Sequence, residues 1–208
     1  MTPPTITPAL VKRACAELPP RFGAVLVDKR TNGTMARIGW FLQECGIMQA
    51  AHFQQDYATT IPTLRGPATS EIAIPFVPGS LDALWQLPTQ LSIVCAHEPT
   101  HSMQIRQRGA LPFCMEYATE NGRADLEAEA YSTECYLAVY FGWPMPDPGL
   151  RASCLASYDC GATAIARAAA VMATHRDAAL AGARGPAGSP VQQLLAWLDA
   201  YEVNASDA

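Results

Sequence analysis

The sequence predicts an α+β fold that is mainly helical with a small amount of strand. Half of the 208 residues are hydrophobic and only 16% are charged, so the chain can bury a core, unlike disordered chains. Its long segments have apolar residues at helical spacing, and proline or glycine bounds most of them. Short stretches between turn residues are the remaining candidates for strands. At this length we expect a single domain over residues 1–208.

The first half combines predicted helices with short extended pieces. Thr7 as N-cap and Pro8 at the first helical position begin a helix that we expect to end near Leu18. Pro75 lies in an extended piece, and because proline cannot donate a ladder hydrogen bond, this piece is expected to be an edge strand. The predicted elements after the first helix are a strand at 22–27, helices from 34 and over 47–57, and the extended piece at 71–77.

The second half is predicted to be almost entirely helical. The segment 125–141 has the clearest signals, because Gly142 follows it as a C-cap. Ser189 and Pro190 have the residue types of an N-cap and a first helical position, and they predict the start of the last helix. The predicted helices of this half cover residues 81–101, 125–141, 163–181 and 191–202.

Charge and composition argue against several classes of partner. The net charge is -5, with no basic excess to neutralise phosphates, so we expect no nucleic-acid partner. No apolar run reaches the roughly 20 residues that span a bilayer, and no classical signal peptide is visible. The 7 cysteines contain no C-x-x-C pair and are expected to be mostly buried thiols. We therefore expect no membrane partner, and a cytoplasmic protein or one exported without a classical signal.

One pentapeptide carries recognisable chemistry. Residues 97–101 read H-E-x-x-H, which on a helix places His97 and His101 on one face, one turn apart. Both imidazoles can then bind one Zn²⁺ ion, at about 2.0–2.1 Å each. Two of the 4 histidines lie in this pentapeptide, whereas a match by chance is expected roughly 0.004 times in such a chain. The pattern therefore predicts a zinc site, with Glu98 beside the open coordination position.

A catalytic zinc ion needs a third protein ligand. No H-x-x-G-x-x-H extension follows, so we expect a carboxylate from the predicted helix at 125–141. Glu127 and Glu129 lie there, and only one can face the histidines because residues two apart on a helix differ by about 200°. We favour Glu129 over Glu127, since Glu129 shares the stripe of Leu126, Ala130, Thr133 and Leu137.

These residues resemble a known family. The pattern H-E-x-T-H-x-x-Q from His97 to Gln104, followed by E-x-E-A from Glu127, is similar to gluzincin-type zinc metallopeptidases, and most similar to small bacterial minimal zincins. The resemblance covers about a third of the chain. It implies His97, His101 and Glu129 as zinc ligands, Glu98 as general base, and an edge strand beside the H-E-x-x-H helix. The flanking helices match no family pattern.

The sequence departs from an ordinary helix at Pro99. Its ring opposes the carbonyl of Cys95, which in a continuous α-helix costs about 3 kcal/mol or more. Either the helix begins near His97, so that Pro99 lies in the first turn, or metal binding stabilises a kinked helix.

The predicted activity is hydrolysis of a peptide or protein substrate. Zinc lowers the pKa of a bound water, Glu98 takes its proton, and the resulting hydroxide attacks the scissile carbonyl. The alternative is a catalytically inactive zincin-like protein with an interaction or structural role. A second donor to the oxyanion stays unassigned among four residues: Tyr131, Tyr136, His175 and Arg123.

Overall fold

The computed structural model describes residues 3–44, 54–63 and 70–206. The fold is 67% helix and 8% strand, which confirms a mainly helical protein with minor β structure. The described chain divides into two compact units, one of Ile6–Ser102 and one from Met103 onward that includes the first few N-terminal residues. The division falls inside a single helix, Glu98–Arg108, which runs through it without a break.

The described part of the first unit contains helices that precede the H-E-x-x-H segment. Helix α1 spans Pro8–Glu17 as predicted, and the Oγ1 atom of Thr7 accepts a hydrogen bond from the backbone N–H of Leu10 at 3.2 Å. Helix α2 spans Gly33–Glu44 and α3 spans Leu87–Ser92. Of the predicted helix at 47–57, residues 47–53 lie outside the described residues, and 54–56 are helical. The capping signals therefore predicted the start of α1 correctly.

A three-stranded sheet belongs to the same unit. Strands β1 (Ala24–Asp28), β2 (Thr59–Pro62) and β3 (Ser70–Ile74) have the order β1-β3-β2. Strand β3 pairs in parallel with β1 and antiparallel with β2. This order corrects the prediction of an edge strand, because β3 is central. The strand ends at Ile74, so Pro75 lies outside the ladder and places no restriction on it.

In the described residues, the unit from Met103 onward consists of helices and the loops that connect them. Thr119 is the N-cap of the longest helix and starts it five residues earlier than predicted, while Gly142 ends it with φ +66°. Buried alanines on this helix and on a later one let the two pack closely, around Leu155 and Met172. The helices are α4 (Glu98–Arg108), α5 (Ala110–Ala118), α6 (Glu120–Phe141), α7 (Pro148–Ser153), α8 (Ala162–Leu180) and α9 (Pro190–Ser206).

Two further expectations concern membrane-spanning helices and the state of the cysteines. None of the helices in the described ranges is long and apolar enough to cross a bilayer. Among the six cysteines that the structure describes, Cys15, Cys95, Cys135 and Cys160 are buried as free thiols, while Cys114 and Cys154 are exposed. The expectation of mostly buried thiols therefore holds for this part of the chain.

Candidate metal centre

The H-E-x-x-H segment begins in a widened helical turn. Residues Ile93–His97 form a π-helical turn, in which the backbone N–H of Glu98 donates to the carbonyl of Ile93, five residues earlier. Regular α-helix resumes at Glu98, so Pro99 is the second residue of α4. The helical turns continue upstream to Leu87, so the wider turn before Pro99, and not a free helix start, makes room for the ring. The two helical segments thus accommodate Pro99.

Hydroxyl side chains bond the carbonyls around this turn. The Thr100 hydroxyl donates to the Ala96 carbonyl at 2.8 Å, and the Ser102 hydroxyl donates to the Glu98 carbonyl at 3.3 Å. Ser102 in turn accepts a hydrogen bond from Ser70 of β3 at 2.8 Å. Hydroxyl side chains within helices commonly donate to the carbonyl four residues earlier in this way. The backbone beside the histidines is therefore fixed from α4 and from the sheet.

The structure brings two imidazoles and one carboxylate together. His97 and His101 are each 5% exposed, and Glu127 is 3% exposed. One ligand atom from each residue lies within 4.8 Å of the others. The two imidazole rings have centroids 5.1 Å apart and an interplanar angle of 82°. These three residues form the candidate metal centre.

The donor set fits zinc. Two imidazoles and one carboxylate are a ligand combination of catalytic zinc ions, with a fourth position left for water or substrate. Ligand atoms about 2.1 Å from a tetrahedral ion lie about 3.4 Å apart, so the side chains need only small rotations to close on it. Softer sulfur donors are absent from this group, which also suits zinc rather than copper(I).

Glu127 lies in this group, and Glu129 does not. Glu129 is exposed, and its Oε2 atom accepts a hydrogen bond from the Gln104 side chain at 2.8 Å. Gln104 also donates to the backbone carbonyl of Leu126 at 3.1 Å. The apolar stripe misled the sequence argument, because α6 is buried on more than one face: Ala124, Ala128 and Ser132 are buried as well as the stripe. Glu127, the alternative in the sequence analysis, replaces Glu129 as the candidate ligand.

Phenol groups surround the Glu127 carboxylate. The Tyr117 hydroxyl of α5 donates to Glu127 Oε1 at 2.7 Å, which leaves Oε2 as the ligand atom. The hydroxyls of Tyr131 and Tyr158 lie 3.4 Å apart. Burial, and then the negative charge of Glu127, raise the pKa of both Tyr131 and Tyr158. These phenols therefore stay protonated at neutral pH and can act as donors.

A threonine bonds the Glu98 carboxylate. Glu98 is 5% exposed, and the Thr60 hydroxyl of β2 donates to its Oε2 atom at 2.6 Å. The same hydroxyl lies 3.2 Å from the Glu98 carbonyl oxygen. The bond thus engages one of the two carboxylate oxygens of Glu98. Nothing in the sequence pointed to Thr60, because no motif links it to a residue 38 positions later.

No protein-family model, curated protein or solved structure matches this chain. The likeness to gluzincins therefore rests on the motif residues alone.

The other predicted donors lie in different settings. The Tyr136 hydroxyl is 2.8 Å from His175 Nδ1, and burial lowers the pKa of His175 while Glu129 partly opposes this. Tyr136 follows Glu127 by nine residues on the same helix, which turns it about 180° away. Arg123 donates to the Tyr117 carbonyl at 3.1 Å. Of the four candidate donors, Tyr131 is the one that Glu127 influences electrostatically.

Proposed function

We propose that this protein is a zinc-dependent metallopeptidase of the zincin type. The observation that carries the proposal is the buried group of His97, His101 and Glu127, with Glu98 next to the first histidine. Two imidazoles and one carboxylate gathered in one buried group are a donor set that catalytic zinc ions use. The substrate class that the motif favours is a peptide or protein.

Each residue has a separate task in this proposal. His97, His101 and Glu127 hold the zinc ion, and Tyr117 orients the Glu127 carboxylate through its hydrogen bond to Oε1. The ion, when bound, activates water at neutral pH and polarises the scissile carbonyl. Three protein ligands leave it one open coordination position.

Glu98 moves the proton. Because Thr60 occupies Oε2, the Oε1 atom accepts a proton from the attacking water and then passes it to the departing amine. The burial of Glu98 limits the number of water molecules that compete for this carboxylate.

A metal analysis and an activity assay test the proposal together. Purified protein should contain about one zinc ion per chain and cleave fluorescently labelled casein, with loss of activity after chelation and recovery with Zn²⁺. Glu98→Gln should keep the zinc and lower kcat by about 10²- to 10⁴-fold. A zinc-loaded wild type that cleaves no peptide or protein supports the alternative of an inactive zincin-like interaction protein. A wild type that binds no zinc refutes both.

A further inference from the structure

A fully buried lysine lies at one end of the sheet. Lys29 has 0% of its surface exposed, whereas Lys12, the other lysine of the chain, is exposed. Lys29 directly follows β1, and its backbone N–H donates to the carbonyl of Ile74 at the end of β3, at 2.9 Å. The residue is therefore fixed to the central strand by its backbone.

The lysine side chain reaches the opposite edge strand. Its Nζ atom donates to the Tyr57 carbonyl at 2.9 Å and to the Thr59 hydroxyl at 2.8 Å. Thr59 is the first residue of β2, and β3 lies between β1 and β2 in the sheet. Lys29 thus connects the two edge strands across the end of the central one.

Strand geometry then connects this lysine to Glu98. Successive side chains of a strand point to opposite faces, so Thr59 and Thr60 extend in opposite directions from β2. Thr59 accepts from Lys29, and Thr60 donates to Glu98 Oε2 at 2.6 Å. A shift of β2 by a fraction of an ångström lengthens this bond and turns the carboxylate. The position of Glu98 therefore depends on whatever fixes the start of β2.

Burial of an ammonium group is energetically unfavourable. Desolvation lowers the pKa of Lys29 to about 8, and the negative charge of Glu98 partly opposes this effect. An apolar residue of similar length in the same place avoids that cost. The stability of the sheet alone is thus a poor explanation for a lysine here.

We propose that Lys29 is a positioning residue for Glu98, which it orients by fixing β2 and thereby Thr60. The role of Glu98 as the proton-transferring group comes from the proposed function, and this inference rests on it. Whether Lys29 stabilises the position of β2 can be measured in the metal-free protein and without an activity assay.

The activity test compares Lys29→Met with Lys12→Met in the zinc-loaded protein, using labelled casein as substrate. Lys29→Met should lower kcat by about tenfold or more while KM and zinc affinity change less than about twofold, because misplacement of a catalytic group slows the chemical step. Thr60→Val should have the same effect, and Thr60→Ser, which keeps the hydroxyl, should restore most of kcat. Lys12→Met should behave as wild type.

A double-mutant cycle tests whether Lys29 acts through Thr60. The combination of Lys29→Met and Thr60→Val should be no slower than either single variant, since both remove the same interaction. If instead the double variant loses kcat by the product of the two single losses, the two residues act independently, and Lys29 does not act through Thr60. If Lys29→Met does not fold, Lys29→Gln, which keeps one donor, replaces it in the cycle.

Amide hydrogen exchange of the metal-free protein gives a second, independent measurement. The backbone amides of β2 that donate to β3 should exchange at least about tenfold faster in Lys29→Met than in Lys12→Met, while those of α1 stay unchanged. The inference is overturned, even if the enzyme is active, if Lys29→Met accelerates exchange throughout Ile6–Ser102 or does not accelerate it in β2. A wild type that binds no zinc or cleaves nothing contradicts the proposed function, and exchange in β2 still shows whether Lys29 fixes the strand.

Discussion

The two functional carboxylates are both buried and both accept a hydroxyl hydrogen bond, but their supports differ in origin. Glu98 is held by Thr60 from a strand 38 residues earlier. Glu127 is held by Tyr117 from the preceding helix, ten residues earlier. The carboxylate proposed to transfer the proton thus depends on sheet pairing between distant segments, whereas the candidate ligand depends on two consecutive helices, α5 and α6. The comparison indicates that metal affinity and turnover can be altered separately.

The largest expected effect separates the two glutamates of α6. Glu127→Gln should lower zinc affinity by about 100- to 1,000-fold, because structural zinc sites gain about 10–16 kcal/mol from four ligands, or roughly 2.5–4 kcal/mol from each. Glu129→Gln, the matched control, removes only the hydrogen bond from Gln104 and should change affinity little. Competition with a chromogenic chelator measures both constants. If Glu129→Gln lowers the zinc affinity more than Glu127→Gln does, Glu129 is the ligand instead.

Stability as a function of pH tests the buried lysine beside the sheet. The pKa of Lys29 falls from 10.5 to about 8 on folding, so between these pH values the unfolded chain binds more protons and stability rises with pH. Relative to Lys29→Met, the free energy of unfolding of the wild type should rise by on the order of 3 kcal/mol from pH 7 to pH 10.5. Urea titrations at several pH values measure this difference.

One result of the urea titrations would contradict the predicted rise in stability with pH. A constant difference between wild type and Lys29→Met means that Lys29 titrates as it does in the unfolded chain. The Lys12→Met variant gives the matched background, because Lys12 is exposed. Its stability should follow that of the wild type across the same range.

Removal of the phenol hydroxyl tests the support of the candidate ligand. Tyr117→Phe should lower zinc affinity by about 10- to 100-fold, since partners of a ligating carboxylate typically contribute this much. Thr60→Val should leave zinc affinity unchanged and lower kcat instead. Calorimetric zinc titration and casein cleavage measure the two properties. Equal losses of affinity in both variants contradict the separation of roles.

The smallest effect concerns Pro99. The widened turn leaves room for the ring of Pro99, so proline there keeps its stabilising effect through the unfolded chain, and Pro99→Ala should lower the free energy of unfolding by about 0.4–1 kcal/mol. In a helix interior the same change is stabilising by about 3 kcal/mol. Urea unfolding therefore gives opposite signs for the two placements. Zinc affinity should stay unchanged.

Local signals in the sequence predicted the ends of several helices correctly. Thr7 with Pro8 begins α1, and Gly142 ends α6 with a positive φ. The Ser189 hydroxyl accepts from the backbone N–H of Gln192 at 3.3 Å at the start of α9. Each of these signals acts within one helical turn, and the residues that produce it are adjacent in the chain.

Long-range interactions were not predictable in the same way. The central position of β3 depends on partners far away in sequence, and Pro75 gave the wrong indication because the strand ends before it. The choice between Glu127 and Glu129 requires knowing which faces of α6 are covered. The hydrogen bonds from Thr60 and Tyr117 follow from tertiary packing, and no residue spacing encodes them.

The π turn at Ile93–His97 makes the direction of the histidines sensitive to chain length. Each residue advances a helix by about 100°, and this turn contains one residue more than a regular one. Because the wider turn absorbs the extra residue, deletion of one residue there would restore an ordinary helix with α4 facing nearly the same way relative to α3. A further residue inserted at 93–97 has no such turn to absorb it and would rotate α4 by about 100° relative to α3, so insertions there should be tolerated less well than deletions.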